Sequence, residues 1–191
     1  MVLEKDVNYI VSGLERSGTS ILMQILKAGG VPIGFDESRS ANGSNPKGYY
    51  ELEGGKIINR LIDKTFQFEK YKGKFIKITA FGLKFLPLGN YKIIYSERNI
   101  EEILDSMEEM MGKKDLKRDE TKHAFVRLNN MIKQHMQKRK DIEHIIINYN
   151  QTISNPKSNI NKITGFLSLP EKTQAKMMTV IDDGLYRQRR N

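Results

Sequence analysis

The chain has no cysteine and no tryptophan, and only three histidines and five prolines among 191 residues. Without thiols it can build neither a disulfide framework nor a cysteine-ligated metal site, and the three histidines are scattered rather than set at ligand spacing. No apolar run approaches the roughly 20 residues needed to cross a bilayer. Glu4, Lys5 and Asp6 precede the first short apolar stretch, which is wrong for a secretory signal. A soluble cytoplasmic protein with no membrane association is therefore the expectation. Acidic residues are also in deficit, 23 against 32 lysines and arginines, leaving a net charge of +9. Such an excess invites a polyanionic partner, and nucleic acid, an acidic membrane surface or a multiply phosphorylated nucleotide all qualify. The lysines between 113 and 122 have no interleaved aromatic platform, so they read as a solvated face rather than a nucleic-acid site.

With 38% hydrophobic residues the chain can bury one well-packed core and is short for two, so a single domain over residues 1–191 is expected. Apolar β-rich runs alternate with helical patterns, the mark of an α/β protein with a central parallel sheet flanked by helices. Strands are expected at Val7–Ser12, Phe75–Thr79, Tyr91–Ser96 and Ile145–Tyr149. A first helix should open near Gly18, align Ile21, Leu22, Ile25 and Leu26, and stop at Gly29-Gly30. Asn99 with Glu102 three positions on has the form of a capping box at the start of another helix. A long helix fills roughly Glu120–Arg139, and Asn155-Pro156 opens a further one. The Ser-, Asn- and Gly-rich stretch from Asp36 to Tyr50 is too long for a simple connection and reads as a functional loop.

The segment Gly13-Leu14-Glu15-Arg16-Ser17-Gly18-Thr19-Ser20 lies between the first strand and the first helix. There, backbone N–H groups and the helix N-terminus form an anion cradle. Gly13 and Gly18 keep Walker spacing, but Thr19 stands where a nucleotide kinase needs lysine. Arg16 can supply the missing charge from within the loop, and Thr19 and Ser20 can donate hydroxyl hydrogen bonds to a 5′-phosphate.

Arg16-Ser17-Gly18-Thr19-Ser20 resembles the phosphate loop of the PAPS-dependent sulfotransferases, which in many members reads Pro-Arg-Ser-Gly-Thr-Thr or Pro-Arg-Ser-Gly-Thr-Ser; here Glu15 replaces the proline. PAPS is 3′-phosphoadenosine-5′-phosphosulfate. Tyr95-Ser96-Glu97-Arg98 followed by Ser106 is similar to the family's 3′-phosphate element, in which a strand-end arginine and a serine eight residues on converge on one phosphate. Taken singly, Arg98 reads equally as a surface charge and Ser106 as a helix serine bonded to its own turn. The run from Ile145 through Tyr149 to Asn155-Pro156, continuing to Gly165-Phe166-Leu167, is also similar to the family and implies Tyr149 beside the adenine; a tyrosine capping the sheet core is the alternative. Arg187 and Arg189 stand where many relatives carry a basic element over the 3′-phosphate, or else form a solvated charge run.

The resemblance implies a P-loop-like fold and sulfuryl transfer by in-line attack, with PAPS as donor, its desulfated form PAP as product, and no metal required. Arg16, with Lys77 as a second cation at a strand end, is expected to stabilise the departing 5′-phosphate. Many cytosolic relatives place a histidine base two residues after such a lysine, where this chain has Thr79. Gly34-Phe35-Asp36-Glu37-Ser38-Arg39 resembles the Gly-Glu-Glu-Thr-Arg stretch of protein-tyrosine sulfotransferases, which implies Glu37 as base with Asp36 next. Asn45-Pro46-Lys47-Gly48-Tyr49-Tyr50-Glu51 resembles an acceptor-side stretch of bacterial relatives, implying that Lys47, Tyr49 and Glu51 line the acceptor pocket. A small-molecule, carbohydrate or peptide acceptor with a hydroxyl or amine is the expected partner. An atypical P-loop nucleotide kinase and a nucleotide-binding module without turnover remain as alternatives.

Overall fold

The computed structural model describes residues 3–43, 45–182, 184 and 190. Among these residues lie four strands, β1 (Asn8–Gly13), β2 (Phe75–Lys77), β3 (Tyr91–Glu97) and β4 (Ile142–Asn148), all parallel in the order β2-β1-β3-β4. Every residue of β1 is buried, as a central strand covered on both faces requires. The expected strands are found with shifted ends. β4 begins three residues early because Ile142 pairs in register with Tyr91 and is itself buried. The same strand stops at Asn148, whose side chain accepts from the Gln151 N–H at 2.9 Å, so Tyr149 opens a helix instead of closing the strand. β2 ends before Thr79, which leads into a 3-10 turn over residues 80–85.

Seven α-helices are described: α1 (Thr19–Ala28), α2 (Ile57–Ile62), α3 (Ile100–Met111), α4 (Arg118–Lys138), α5 (Tyr149–Ser154), α6 (Pro156–Phe166) and α7 (Lys172–Met178). Two apolar layers follow from the period of two along the strands. Ile10, Ile76, Ile93 and Tyr95 pack with Ile57 and Leu61 of α2, Ile103 of α3, and Ile132 and Met136 of α4. Tyr9, Val11, Phe75, Ile94 and Ile147 face the other way, onto Leu22 and Ile25 of α1, Ile160 and Ile163 of α6, and Met177 of α7. The result is an α/β protein with helices on both sides of a parallel sheet. No described helix is long and apolar enough to cross a membrane.

Strand order explains where a ligand can sit. The chain steps from β1 to one side for β2, then crosses back to place β3 on the other side. α1 and α3 therefore leave the sheet on opposite faces, and a crevice opens at the carboxyl ends of β1 and β3. Gly13 and Ser96 are register partners at that crevice.

Asn99 caps α3 as expected, its side chain accepting from the Glu101 N–H at 2.9 Å. Glu102 does not complete the capping box: its carboxylate is fully buried and bonded to Arg98 and Asn150. A buried guanidinium is a stronger partner for a desolvated carboxylate than a peptide N–H at a helix end.

Candidate functional site

The loop between β1 and α1 is built for close approach. A Cβ on Gly13 would lie 2.4 Å from Ser17 Oγ and 2.6 Å from the Ser96 carbonyl, so only glycine fits beside β3. Gly18 has φ of +99°, and a Cβ there would come within 2.2 Å of the Tyr149 ring. Arg16 adopts the left-handed region at φ 63° without being glycine, a conformation that costs on the order of 1–3 kcal/mol unless its surroundings hold it. Arg98 does so, donating from Nη1 to the Arg16 carbonyl at 3.1 Å. Among the described residues no side chain caps α1, and its first turn holds no acidic residue, which leaves the helix N-terminus open to an anion.

A cavity of about 310 Å³ opens above this loop. Gly13 to Arg16, Gly18, Thr19, Ser20, Lys77, Arg98, Ser106 and Tyr149 line it. Arg16 Nε donates to Ser106 Oγ at 3.0 Å, so the first loop and the α3 serine meet directly. Arg98 is buried, forms an ion pair with Glu102 at 3.0 Å and stacks its guanidinium 4.5 Å from the Tyr149 ring centroid. Arg98 is thus no surface charge, and Ser106 faces the loop rather than only its own turn.

Ser17 is placed differently from its expected role. It is buried, lines no part of the cavity, donates its N–H to the Leu14 carbonyl at 3.1 Å, and its carbonyl accepts from Ser96 Oγ at 2.7 Å. It pins the loop to β3. Arg187 and Arg189 lie outside the described residues. Their neighbour Arg190 reaches α3, its N–H donating to Glu102 at 3.1 Å and its guanidinium pairing with Asp105 at 2.6 and 2.7 Å.

The stretch from Asn45 to Glu51 enters the cavity through Asn45, Pro46, Tyr49 and Glu51, and Thr79 lines it as well. Lys47 points elsewhere, donating to the Val180 carbonyl at 3.2 Å and lying 3.5 Å from Asp182. Lys77 is held at three points. Its Nζ donates to the Tyr49 carbonyl at 2.8 Å and Ser20 Oγ at 3.1 Å, and pairs with Glu51 at 2.9 Å. Burial lowers its pKa from the ordinary lysine range, opposed by the charge and hydrogen bond of Glu51. Arg39 holds the other Glu51 oxygen at 3.0 Å and stacks on Tyr49 with its guanidinium 3.6 Å from the ring centroid.

Neither loop carboxylate expected as base is brought to the cavity. Glu37 is exposed and has no hydrogen-bond partner among the described residues. Asp36 organises the loop instead: it accepts from the Ser38 N–H at 2.9 Å, from the Ser38 hydroxyl, and from the Glu53 N–H at 2.7 Å. What burial it has raises its pKa, and these hydrogen bonds outweigh that and bring it below the usual value. Sequence reasoning gave no role to Arg39, and read Glu102 as a cap. The signal for Glu102 was its position four residues after Arg98, near enough in sequence for an ion pair across the start of α3.

No protein-family model matches the chain, and no curated protein sequence matches it. Solved structures do. The sulfotransferase domain from the Synechococcus PCC 7002 olefin synthase superposes with a TM-score of 0.57 at 13% identity, over 96% of this chain and 87% of that one. Sulfotransferase STF9 from Mycobacterium avium gives 0.54 at 13%, over 93% and 67%. Mouse sulfotransferase SULT7A1, complexed with PAP, gives 0.52 at 15%, over 94% of this chain and 64% of the mouse chain, so this chain spans less than two thirds of that protein's length. With the lysine-less loop set at the β1–β3 switch of an all-parallel sheet, the chain has the sulfotransferase fold.

Proposed function

We propose that this protein is an enzyme that transfers a sulfuryl group from PAPS to a hydroxyl or amine acceptor. One observation carries the reading: the loop of Arg16 and the pair Arg98 and Ser106, far apart in sequence, line one cavity and meet through the Arg16–Ser106 contact. A nucleotide phosphorylated at both the 3′ and 5′ positions matches two such cationic elements. A nucleotide with a 5′ chain alone would leave the second one unused. The mouse neighbour's complex with PAP supports the same ligand.

The residues present fit it. The open α1 N-terminus and the backbone around Gly18 receive the 5′-phosphate, with the Thr19 and Ser20 hydroxyls at hand. Arg98 and Ser106 hold the 3′-phosphate, and the Tyr149 ring offers a face for the adenine. Bound PAPS supplies an electrophilic sulfur and a phosphate leaving group. Arg16 and Lys77 both line the cavity and bring two positive charges to meet the negative charge that builds on the leaving oxygen. Acceptors of small-molecule, carbohydrate or peptide type enter from the side of Asn45, Tyr49 and Glu51.

Thermal melts with PAP, AMP and ATP test the reading. PAP should stabilise the fold most, by about 2.7 kcal/mol at a hundredfold excess over its dissociation constant. Equal shifts for the three nucleotides would remove the claim of a second phosphate site.

A further inference from the structure

From the arrangement around Lys77 we infer that Glu51 is the general base that takes the acceptor's proton. This rests on the sulfuryl-transfer reading above. Among the described residues no histidine lines the cavity, and three carboxylates do: Glu15, Glu51 and Glu109. Glu15 and Glu109 are exposed, whereas the Glu51 side chain keeps only 11% of its surface. Partial burial is what a glutamate base requires, because water otherwise competes for both the carboxylate and the acceptor.

Glu51 is also fixed in place. Oε1 receives Lys77 at 2.9 Å, Oε2 receives Arg39 at 3.0 Å, and its carbonyl accepts from the Asp36 N–H at 3.0 Å. A Cβ on Gly55 would stand 3.2 Å from Oε2, so the adjacent turn packs closely against the carboxylate. Lys77 links this group to the donor loop, since the same Nζ contacts Ser20 Oγ at 3.1 Å. The base and the sulfuryl end of the donor site therefore share one ammonium. Without donor, Lys77 neutralises Glu51. With an anionic sulfuryl group beside Ser20, the ammonium has a second partner, and Oε1 is released to accept a proton.

The step balances without any further reactant. The acceptor oxygen or nitrogen forms a bond to sulfur with its own electron pair. The bond from sulfur to the bridging oxygen of the 5′-phosphate breaks, and that electron pair stays on PAP. The acceptor proton passes to Glu51, and from there to water. Lys77 remains an ammonium throughout, donating to the leaving oxygen.

The test uses the full chain with sulfur-35-labelled PAPS and water itself as acceptor, following release of inorganic sulfate, alongside calorimetric titration with PAP. Glu51→Gln should cut sulfate release by about a hundredfold or more and leave the PAP dissociation constant within about threefold of wild type. The acidic limb of the pH–rate profile should vanish with the carboxylate. Glu51→Asp, which keeps the charge beside buried Lys77, covers the case in which the Gln variant fails to fold: it should slow release about tenfold or more and retain the acidic limb. A wild-type protein that does not bind PAP would sink the sulfotransferase reading and this inference together. If PAP binds but Glu51→Gln, or Glu51→Asp where only that variant folds, releases sulfate as fast as wild type, the inference alone fails. Lost PAP binding in a folded Glu51→Gln also overturns it, since Glu51 would then belong to the donor site.

Discussion

Arg98, which precedes the cap of α3, and Glu102 in its first turn form an ion pair at 3.0 Å almost wholly out of water. Asn150 donates to both Glu102 oxygens at 2.9 and 3.0 Å, so the carboxylate is fully engaged and holds the guanidinium against Tyr149 and the Arg16 carbonyl. The pair thus fixes the orientation of an arginine that lines the cavity.

A consequence is that Arg98→Ala should damage the fold as well as nucleotide binding. Removing one partner of a buried pair leaves an uncompensated charge and costs about 3–5 kcal/mol. Urea unfolding should show that loss, and Arg98→Ala combined with Glu102→Gln should recover part of it while PAP binding stays absent. An Arg98→Ala protein with wild-type stability and PAP affinity would show that the residue serves neither purpose.

Gly18 joins the loop to α1 beneath the Tyr149 ring. Gly18→Ala places a methyl group where the ring already stands and requires a left-handed backbone, with strain of about 1–3 kcal/mol before any clash is relieved. The melting temperature should fall, and the affinity for PAP should fall with it, because relief of the clash displaces Tyr149. Unchanged melting and binding in the variant would contradict the contact between loop and ring.

Acid should weaken the protein through Glu101. Hydrogen bonds from Lys122 and then Arg118 hold its pKa at about 2, against an ordinary value of 4.5. A carboxylate whose folded pKa is depressed binds fewer protons in the native state than in the unfolded one, so stability is present above 4.5 and drains as pH falls toward 2. Glu101→Gln should flatten the fall in unfolding free energy across that window, measured by urea titration at stepped pH. A pH dependence identical to wild type would show that the contacts of Glu101 with Arg118 and Lys122 are too screened to matter.

The sequence by itself determined the parts whose signals are local. The apolar runs at β1 and β3 fix buried strands because a β-branched stretch has few other low-energy homes. Gly13, Gly18 and the hydroxyl pair Thr19-Ser20 announce a tight turn from strand into helix of the kind that can receive an anion, since their spacing between strand and helix is itself the device. Asn99 and Pro156 mark helix starts through capping chemistry that depends only on the neighbouring backbone. Tertiary structure alone decided which polar side chains meet. Glu102 has equally good local options as a cap or as an ion-pair partner, and burial beside Arg98 selects the second. Ser17 carries the same hydroxyl as Ser20, yet one is buried against Gly13 while the residue of the other lines the cavity. Glu37 and Glu51 lie in one long connection with no periodic pattern to orient them. Lys77, delivered by β2 to the foot of the cavity, is the charge that draws Glu51 inward and leaves Glu37 in water.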